Sequence, residues 1–165
     1  MNKGRIWKYG DDINTDVIFP GKYTYTVTDP AEMAAHALED LDSAFAAGVA
    51  KGDIVVAGKN FGCGSSREQA AICLVASGVS AVVAKSFARI YFRNAINCGL
   101  MVIACPAAVD AAEHGGEMEI DEGCGVIRVS NREFAFPPFP PQVRKILDAG
   151  GLIPYTKARI AGAEI

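Results

Sequence analysis

The chain has 165 residues, of which 50% are apolar and 21% are charged, and its formal net charge is −3. This composition is typical of a globular domain, and the lack of a basic run argues against nucleic-acid binding. No apolar run is long enough to cross a bilayer and the N-terminus lacks the apolar core of a signal peptide, so we expect a cytoplasmic protein.

The first part of the chain is predicted to contain a strand, a loop and a helix. GRIWKY, residues 4–9, is typical of a short strand, and the Asp- and Asn-rich residues 10–21 are typical of a loop. Residues 28–30 carry a helix-start signal, a capping side chain followed by proline. Apolar residues then recur at helical spacing, so we predict a helix that ends at Gly48.

The middle of the chain alternates between apolar, β-branched segments and helical patterns. The predicted strands lie within residues 52–58, 80–86 and 100–105. The predicted helices are residues 67–78 and 87–99, each closed by a glycine. This alternation is the pattern of a parallel sheet with crossover helices.

The last part of the chain changes character. Three short segments of alternating polarity predict an antiparallel meander: residues 117–121, 125–130 and 132–136. Residues 138–151 begin with prolines and end with glycines, which predicts a further helix. We predict one domain over residues 1–165, in which residues 154–165 form a C-terminal arm.

The segment NFGCGSSREQA, residues 60–70, is the strongest candidate for a functional site. Glycines at a strand-to-helix corner let the backbone approach a ligand closely, and a helix that begins near Ser66 offers free N–H groups to an anion. Arg67 adds a planar set of donors that suits a carboxylate. The alternative is that Ser65 or Ser66 simply caps a helix beside a surface arginine, and these residues alone leave both interpretations open.

Several familiar kinds of active site are disfavoured. No lysine follows the glycines as it does in a phosphate-binding loop, and neither histidine lies near Cys63 or Ser65 in sequence. The five cysteines form no C-x-x-C pair, so we expect no metal site built by this chain alone. A serine base without a histidine makes chemical sense only where a strong Lewis acid or a cluster of cations lowers the demand on it.

Residues 10–23, 58–70 and 84–100 together resemble motifs of the aconitase-type hydro-lyases. The resemblance is to their separate small subunits, above all those of the 3-isopropylmalate dehydratases, and it covers nearly the whole chain. It implies an α/β fold, the swivelling β/β/α domain of the aconitase C-terminal region, with a mixed sheet or barrel and flanking helices.

The same resemblance implies an enzyme subunit that is active only with a large subunit. That partner would hold a 4Fe-4S cluster on its own cysteines, and this chain would bind no cofactor. The implied reaction isomerises or dehydrates a branched 2-hydroxy diacid, foremost 2- or 3-isopropylmalate in leucine biosynthesis. By the family pattern Ser65 is the catalytic base, and Ser66 and Arg67 bind the substrate.

The loop after Pro20 is implied to contact the substituent that distinguishes substrates. Its candidate substrate-binding residues are Lys22, Tyr23, Thr24, Tyr25 and Thr26. The loop has no arginine, which disfavours substrates with an extra carboxylate. Its threonines are less apolar than an isopropyl pocket favours, so a dimethylmalate- or methylmalate-type dehydratase is the alternative.

Other residues of the matching segments have weaker assignments. Asp16 either caps its loop or lines the cleft. For Arg89 we favour a structural ion pair with an acid in the core over a role in orienting the site. We expect Arg93 and Asn94 to hold their helix in place, and Gln69 stands where many relatives carry histidine.

An alternative of a different class is a non-catalytic, anion-binding regulatory domain that uses the same helix terminus. A domain that closes over a partner exposes an apolar patch, and the candidates are residues 136–141 and the loop after Pro20. A homo-oligomer of the isolated chain, formed through this patch, is a further alternative.

Overall fold

The computed structural model describes residues 2–162, and a mixed β-sheet is their frame. Its seven strands are β1 (Asn2–Lys8), β2 (Ile54–Ala57), β3 (Ala81–Ala84), β4 (Met101–Ala104), β5 (Glu117–Asp121), β6 (Val126–Val129) and β7 (Arg132–Ala135). They lie in the order β4-β3-β2-β1-β5-β6-β7.

Helices and short helical turns fill the connections. The α-helices are α1 (Thr15–Ile18), α2 (Pro30–Ala35), α3 (Phe45–Gly48), α4 (Gln69–Ala76), α5 (Arg89–Asn97), α6 (Pro106–Ala111), α7 (Pro141–Asp148) and α8 (Leu152–Ile160). A 3-10 turn, Gly21–Tyr23, lies between α1 and α2.

Strand β1 joins the two halves of the sheet. Residues 6–8 pair in parallel with β2, and residues 2–5 pair antiparallel with β5. The parallel pairing of β2, β3 and β4 and the antiparallel meander β5–β7 are both as the sequence predicts. The parallel strands β2 and β3 are buried throughout, and a strand that is buried on both faces is a continuous apolar run.

Two apolar cores lie on opposite faces of the sheet, because successive side chains of a strand point in opposite directions. Val55 and Val82 contribute to the core that α4 and α5 cover. Ile54 and Val83 contribute to the other core, which contains residues of α6 and of the antiparallel strands. This mixed sheet with flanking helices confirms the predicted fold class.

The predicted helix from residues 28–30 to Gly48 is interrupted. Asp29 caps α2 as expected, but α2 ends at Ala35 and α3 adds only the last turn. Between them Leu38 has a φ of +56°, and its N–H donates to the carbonyl of Ile18 at 2.9 Å. Met33, Ala37, Leu38 and Phe45 are buried in one core, although they do not share one helix.

At the C-terminal end, α7 confirms the helix predicted within residues 138–151. The arm predicted over residues 154–165 falls mostly on α8, where Tyr155 is buried and its hydroxyl donates to Gln142 at 3.3 Å. Residues 163–165 lie outside the described part of the chain. None of the helices within residues 2–162 has the length and apolar character needed to span a membrane.

Candidate active site

The candidate site lies at the corner that follows β2. Gly62 has a φ of +77°, in the left-handed region that favours glycine. A Cβ at Gly62 would overlap the ring of Tyr91, which is buried on α5. The corner therefore packs directly against α5, and this contact sets the position of the residues that follow.

Ser65, Ser66 and Arg67 lie in a segment without regular secondary structure before α4. The N–H of Ser65 donates to Thr15 Oγ1 at 3.0 Å, and Asn94 Nδ2 donates to the carbonyl of Ser66 at 2.9 Å. These two hydrogen bonds hold the segment against neighbouring residues. The helix α4 begins only at Gln69, so the prediction that it starts near Ser66 is wrong. Neither serine caps α4.

The Ser65 hydroxyl receives two contacts from side chains of the chain itself. Arg67 Nε donates to Ser65 Oγ at 2.6 Å, and Thr15 Oγ1 lies 3.0 Å from the same oxygen. Thr15 is only 1% exposed, so its position is fixed by packing. A guanidinium beside a hydroxyl favours the alkoxide by charge and hydrogen bonding. Ser65 is therefore arranged as a hydroxyl that can give up its proton.

Arg67 is held by residues from two other segments. Its Nη1 donates to Thr24 Oγ1 at 2.6 Å, and its Nη2 forms an ion pair with Asp16. Asp16 thus lines the cluster, and the loop cap is Asn14, whose Oδ1 accepts from the N–H of Val17 at 2.9 Å. A guanidinium has five N–H donors, so Arg67 keeps donors for a ligand.

The first two substrate-binding candidates in the loop after Pro20, Lys22 and Tyr23, have their side-chain partners away from Arg67. Lys22 Nζ lies 2.6 Å from Glu39 Oε1, and the Tyr23 hydroxyl donates to the same oxygen at 3.1 Å. The Tyr23 ring stacks on His36 with 3.8 Å between centroids. The hydrogen bond from Lys22 lowers the pKa of Glu39 to about 2.

The other three loop residues differ in their surroundings. Thr24 reaches the cluster through its hydrogen bond to Arg67. Tyr25 is 94% exposed, and Thr26 is exposed, with its hydroxyl 3.5 Å from the carbonyl of Tyr23. Of the five substrate-binding candidates in this loop, the structure brings Thr24 to Ser65 and Arg67.

Ser65 opens into a cleft of about 360 Å³. Its lining includes Gly62, Gly64, Ser65, Arg89, Ile90 and Arg93. The structural ion pair that we favoured for Arg89 is wrong: Arg89 is exposed, and no carboxylate within residues 2–162 lies within ion-pair distance. The α5 residues that enter the core are apolar or aromatic, among them Tyr91 and Ala95.

Sequence reasoning overlooks Thr15 and the open position of Arg89. Thr15 lies between Asn14 and Asp16 in the INTD segment that matches the family, and its place in that segment was the available signal. Its partner Ser65 is 50 positions away, so the contact depends on the fold.

The cysteines of the described chain do not form a cluster site. Cys73 is buried, and burial raises the pKa of its thiol. Burial also raises the pKa of Cys98 to about 11. Within residues 2–162 no group of three or more His, Cys, Asp or Glu side chains is placed to hold a metal ion. The residues present therefore do not fit an iron–sulfur cluster.

Comparison with known proteins places the chain in a family. Residues 10–108 match the model of the aconitase C-terminal domain. The 3-isopropylmalate dehydratase small subunit of Caldicellulosiruptor saccharolyticus is 54% identical over 96% of this chain and 92% of its own. The 2,3-dimethylmalate dehydratase small subunit of Eubacterium barkeri is 49% identical over 94% and 96%. A crystal structure of 3-isopropylmalate dehydratase from Methanocaldococcus jannaschii matches with a TM-score of 0.90 and 46% identity, over 96% of this chain and 95% of that one. The chain therefore belongs to the aconitase C-terminal domain family, together with these dehydratase small subunits.

Proposed function

We propose that this chain is the small subunit of a hydro-lyase that interconverts 2- and 3-isopropylmalate, in leucine biosynthesis and in the cytoplasm. The names of relatives 54% and 46% identical support this reaction. The observation that carries the proposal is the 2.6 Å hydrogen bond from Arg67 Nε to Ser65 Oγ at the edge of an open cleft.

Ser65 is the proposed base. Its alkoxide, stabilised by Arg67 and by the Thr15 hydroxyl, removes the proton on the carbon α to a substrate carboxylate. The remaining N–H groups of Arg67 and the exposed Ser66 bind that carboxylate. The large subunit would hold the 4Fe-4S cluster, and that cluster would supply a Lewis acid for the substrate hydroxyl.

The large subunit is the proposed partner, and the loop after Pro20 is its proposed contact. Tyr25 in this loop is 94% exposed, which suits a residue that becomes covered in a complex. The other candidate, residues 136–141, is less suitable because Phe136 is buried and Phe139 packs against it at 6.3 Å. In isolation the same loop is the proposed contact of a homo-oligomer.

A dimethylmalate dehydratase is the second candidate function. The polar Thr24 beside Arg67 favours a substituent smaller than isopropyl, and a relative with that name is 49% identical. One or two methyl groups change discrimination by about 1–3 kcal/mol. Both candidates use the same Ser65 and Arg67.

The test is reconstitution of the purified chain with its large subunit under reducing, oxygen-free conditions. The substrate panel is isopropylmalate, dimethylmalate, methylmalate and homocitrate. Turnover of each is monitored by the absorbance of the unsaturated acid that forms. We expect no turnover by either subunit alone and the highest kcat/KM of the mixture on isopropylmalate. Preference for dimethylmalate supports the second candidate. Absence of turnover with all four supports a non-catalytic regulatory domain and refutes both.

A further inference from the structure

The cleft beside Ser65 contains two arginines whose charge is not paired with a carboxylate or an aromatic ring of the described chain. Within residues 2–162, Arg89 and Arg93 form neither an ion pair with a carboxylate nor a cation–π interaction with an aromatic ring. All other arginines of the chain have one or the other. Those with a carboxylate are Arg5, Arg67, Arg128 and Arg144, and those over a ring are Arg132 and Arg159.

The positions of these two arginines are unfavourable for the helix itself. Arg89 and Arg93 are four residues apart on one face of α5, where like charges repel. Arg89 is also the first residue of α5, and the helix dipole disfavours a cation there. Helix stability therefore does not account for this pair.

In a second groove the positively charged side chains are paired with carboxylates, as is usual on a protein surface. A groove of about 640 Å³ over the antiparallel strands is also lined by charged side chains. There the charges neutralise one another, with Lys3 3.1 Å from Glu117 and Arg128 2.8 Å from Glu119. Unpaired positive charge is thus a feature that distinguishes the Ser65 cleft from this groove.

We propose that Arg89 and Arg93 bind the second carboxylate of the diacid substrate, an inference that rests on the proposed function. Arg67 alone does not balance a dianion, because its ion pair with Asp16 already offsets its charge. Arg89 and Arg93 line the same cleft as Ser65 and carry charge that no residue within 2–162 neutralises. One carboxylate lies at Arg67, next to the proton that Ser65 removes, and the other lies at Arg89 and Arg93.

The experiment uses the reconstituted complex with Arg89→Gln or Arg93→Gln, and Arg144→Gln as the control on exposed α7. Loss of a charge-assisted hydrogen bond is expected to raise KM about 10- to 100-fold, with a smaller change in kcat. Arg93→Lys is expected to restore part of the affinity. The control is expected to keep the KM of the wild type.

A second readout identifies the group that the arginines bind. Isopropylsuccinate, a diacid without the hydroxyl, and its monoamides are compared as inhibitors. The wild-type complex is expected to prefer the diacid to at least one monoamide, and both glutamine variants are expected to lose that preference. Such loss is not expected from a residue that only stabilises α5.

Two results overturn the proposal. One is an unchanged KM in both glutamine variants of an active complex. The other is weaker binding of the large subunit with an unchanged KM in the assembled complex, which assigns Arg89 and Arg93 to the subunit interface. A wild-type complex that turns over none of the branched malates refutes the proposed function instead, so the two failures are distinguishable.

Discussion

At the scale of single residues, Arg67 organises the candidate site. One guanidinium contacts Ser65 Oγ and Thr24 Oγ1, each at 2.6 Å, and pairs with Asp16. Because the other two contacts fix its plane, Nε stays directed at Ser65. We therefore propose two roles for Arg67, stabilisation of the Ser65 alkoxide and binding of a carboxylate.

Substitution of Arg67 by lysine separates charge from geometry. Lysine keeps the positive charge but lacks the planar guanidinium, whose three nitrogens each contact a different oxygen. We expect kcat of the reconstituted complex to fall about 100-fold or more, as when a preorganised donor to an oxyanion is removed. Arg144→Lys on exposed α7 is the matched control, and a near-normal kcat in Arg67→Lys would show that charge alone is sufficient.

The ion pair between Lys22 and Glu39 gives the loop after Pro20 a pH dependence. The pKa of Glu39 is lowered from 4.5 to about 2, chiefly by the hydrogen bond from Lys22. Its carboxylate therefore stabilises the folded state above about pH 4.5, and this contribution is lost as the pH falls towards 2.

Urea unfolding from pH 7 to pH 2 tests this dependence. We expect Glu39→Gln to be less stable than the wild type at pH 7 and the difference to disappear near pH 2. Glu32→Gln, at an exposed residue of α2 without an ion pair to residues 2–162, is the control. A difference that is constant over the whole range would contradict the assigned ion pair.

At the scale of elements, the contact between the corner after β2 and helix α5 positions Ser65. Gly62 has a left-handed φ of +77°, and a Cβ there would overlap the Tyr91 ring. Gly115 has nearly the same φ, +78°, but has no atom within 4 Å of such a Cβ. The two glycines therefore separate backbone strain from steric overlap.

Alanine substitution at each glycine measures the two effects. Gly115→Ala is expected to cost about 1–2 kcal/mol of unfolding free energy from the left-handed backbone alone. Gly62→Ala is expected to cost about 1–3 kcal/mol more, since the corner must also move away from α5. Urea denaturation provides both values, and equal losses would mean that Tyr91 does not hold the corner.

The elements differ in how far the sequence predicts them. Strands β2–β4 and helices α4 and α5 are predictable because buried apolar runs and closing glycines mark them. The break after α2 is not, because Leu38 adopts its φ of +56° through a bond to Ile18 that exists only in the fold. The later start of α4 likewise depends on the contacts of Ser65 and Ser66.

At the scale of the whole molecule, local motifs predict the family and the mixed sheet, but not the complete set of residues around Ser65. Ser65 and Arg67 follow from their own segment. Thr15 comes from a loop 50 positions earlier. The charge balance around Arg89 and Arg93 is a property of the folded surface, which no local pattern contains.

The folded chain supplies a serine, a guanidinium and a cleft, while the residues within 2–162 provide no set of metal ligands. A base and a carboxylate-binding arginine complete only part of a hydro-lyase centre. The central claim is therefore that this chain contributes the catalytic base to an active centre that it shares with a large subunit.

The most direct measurement of that claim is kcat of the reconstituted complex with Ser65→Ala, compared with Ser66→Ala as the neighbouring control. We expect Ser65→Ala to assemble normally and lose about 10²- to 10⁴-fold in kcat, the usual effect of removing a general base. Ser66→Ala is expected to change KM more than kcat. A Ser65→Ala complex with near-normal kcat would contradict the account.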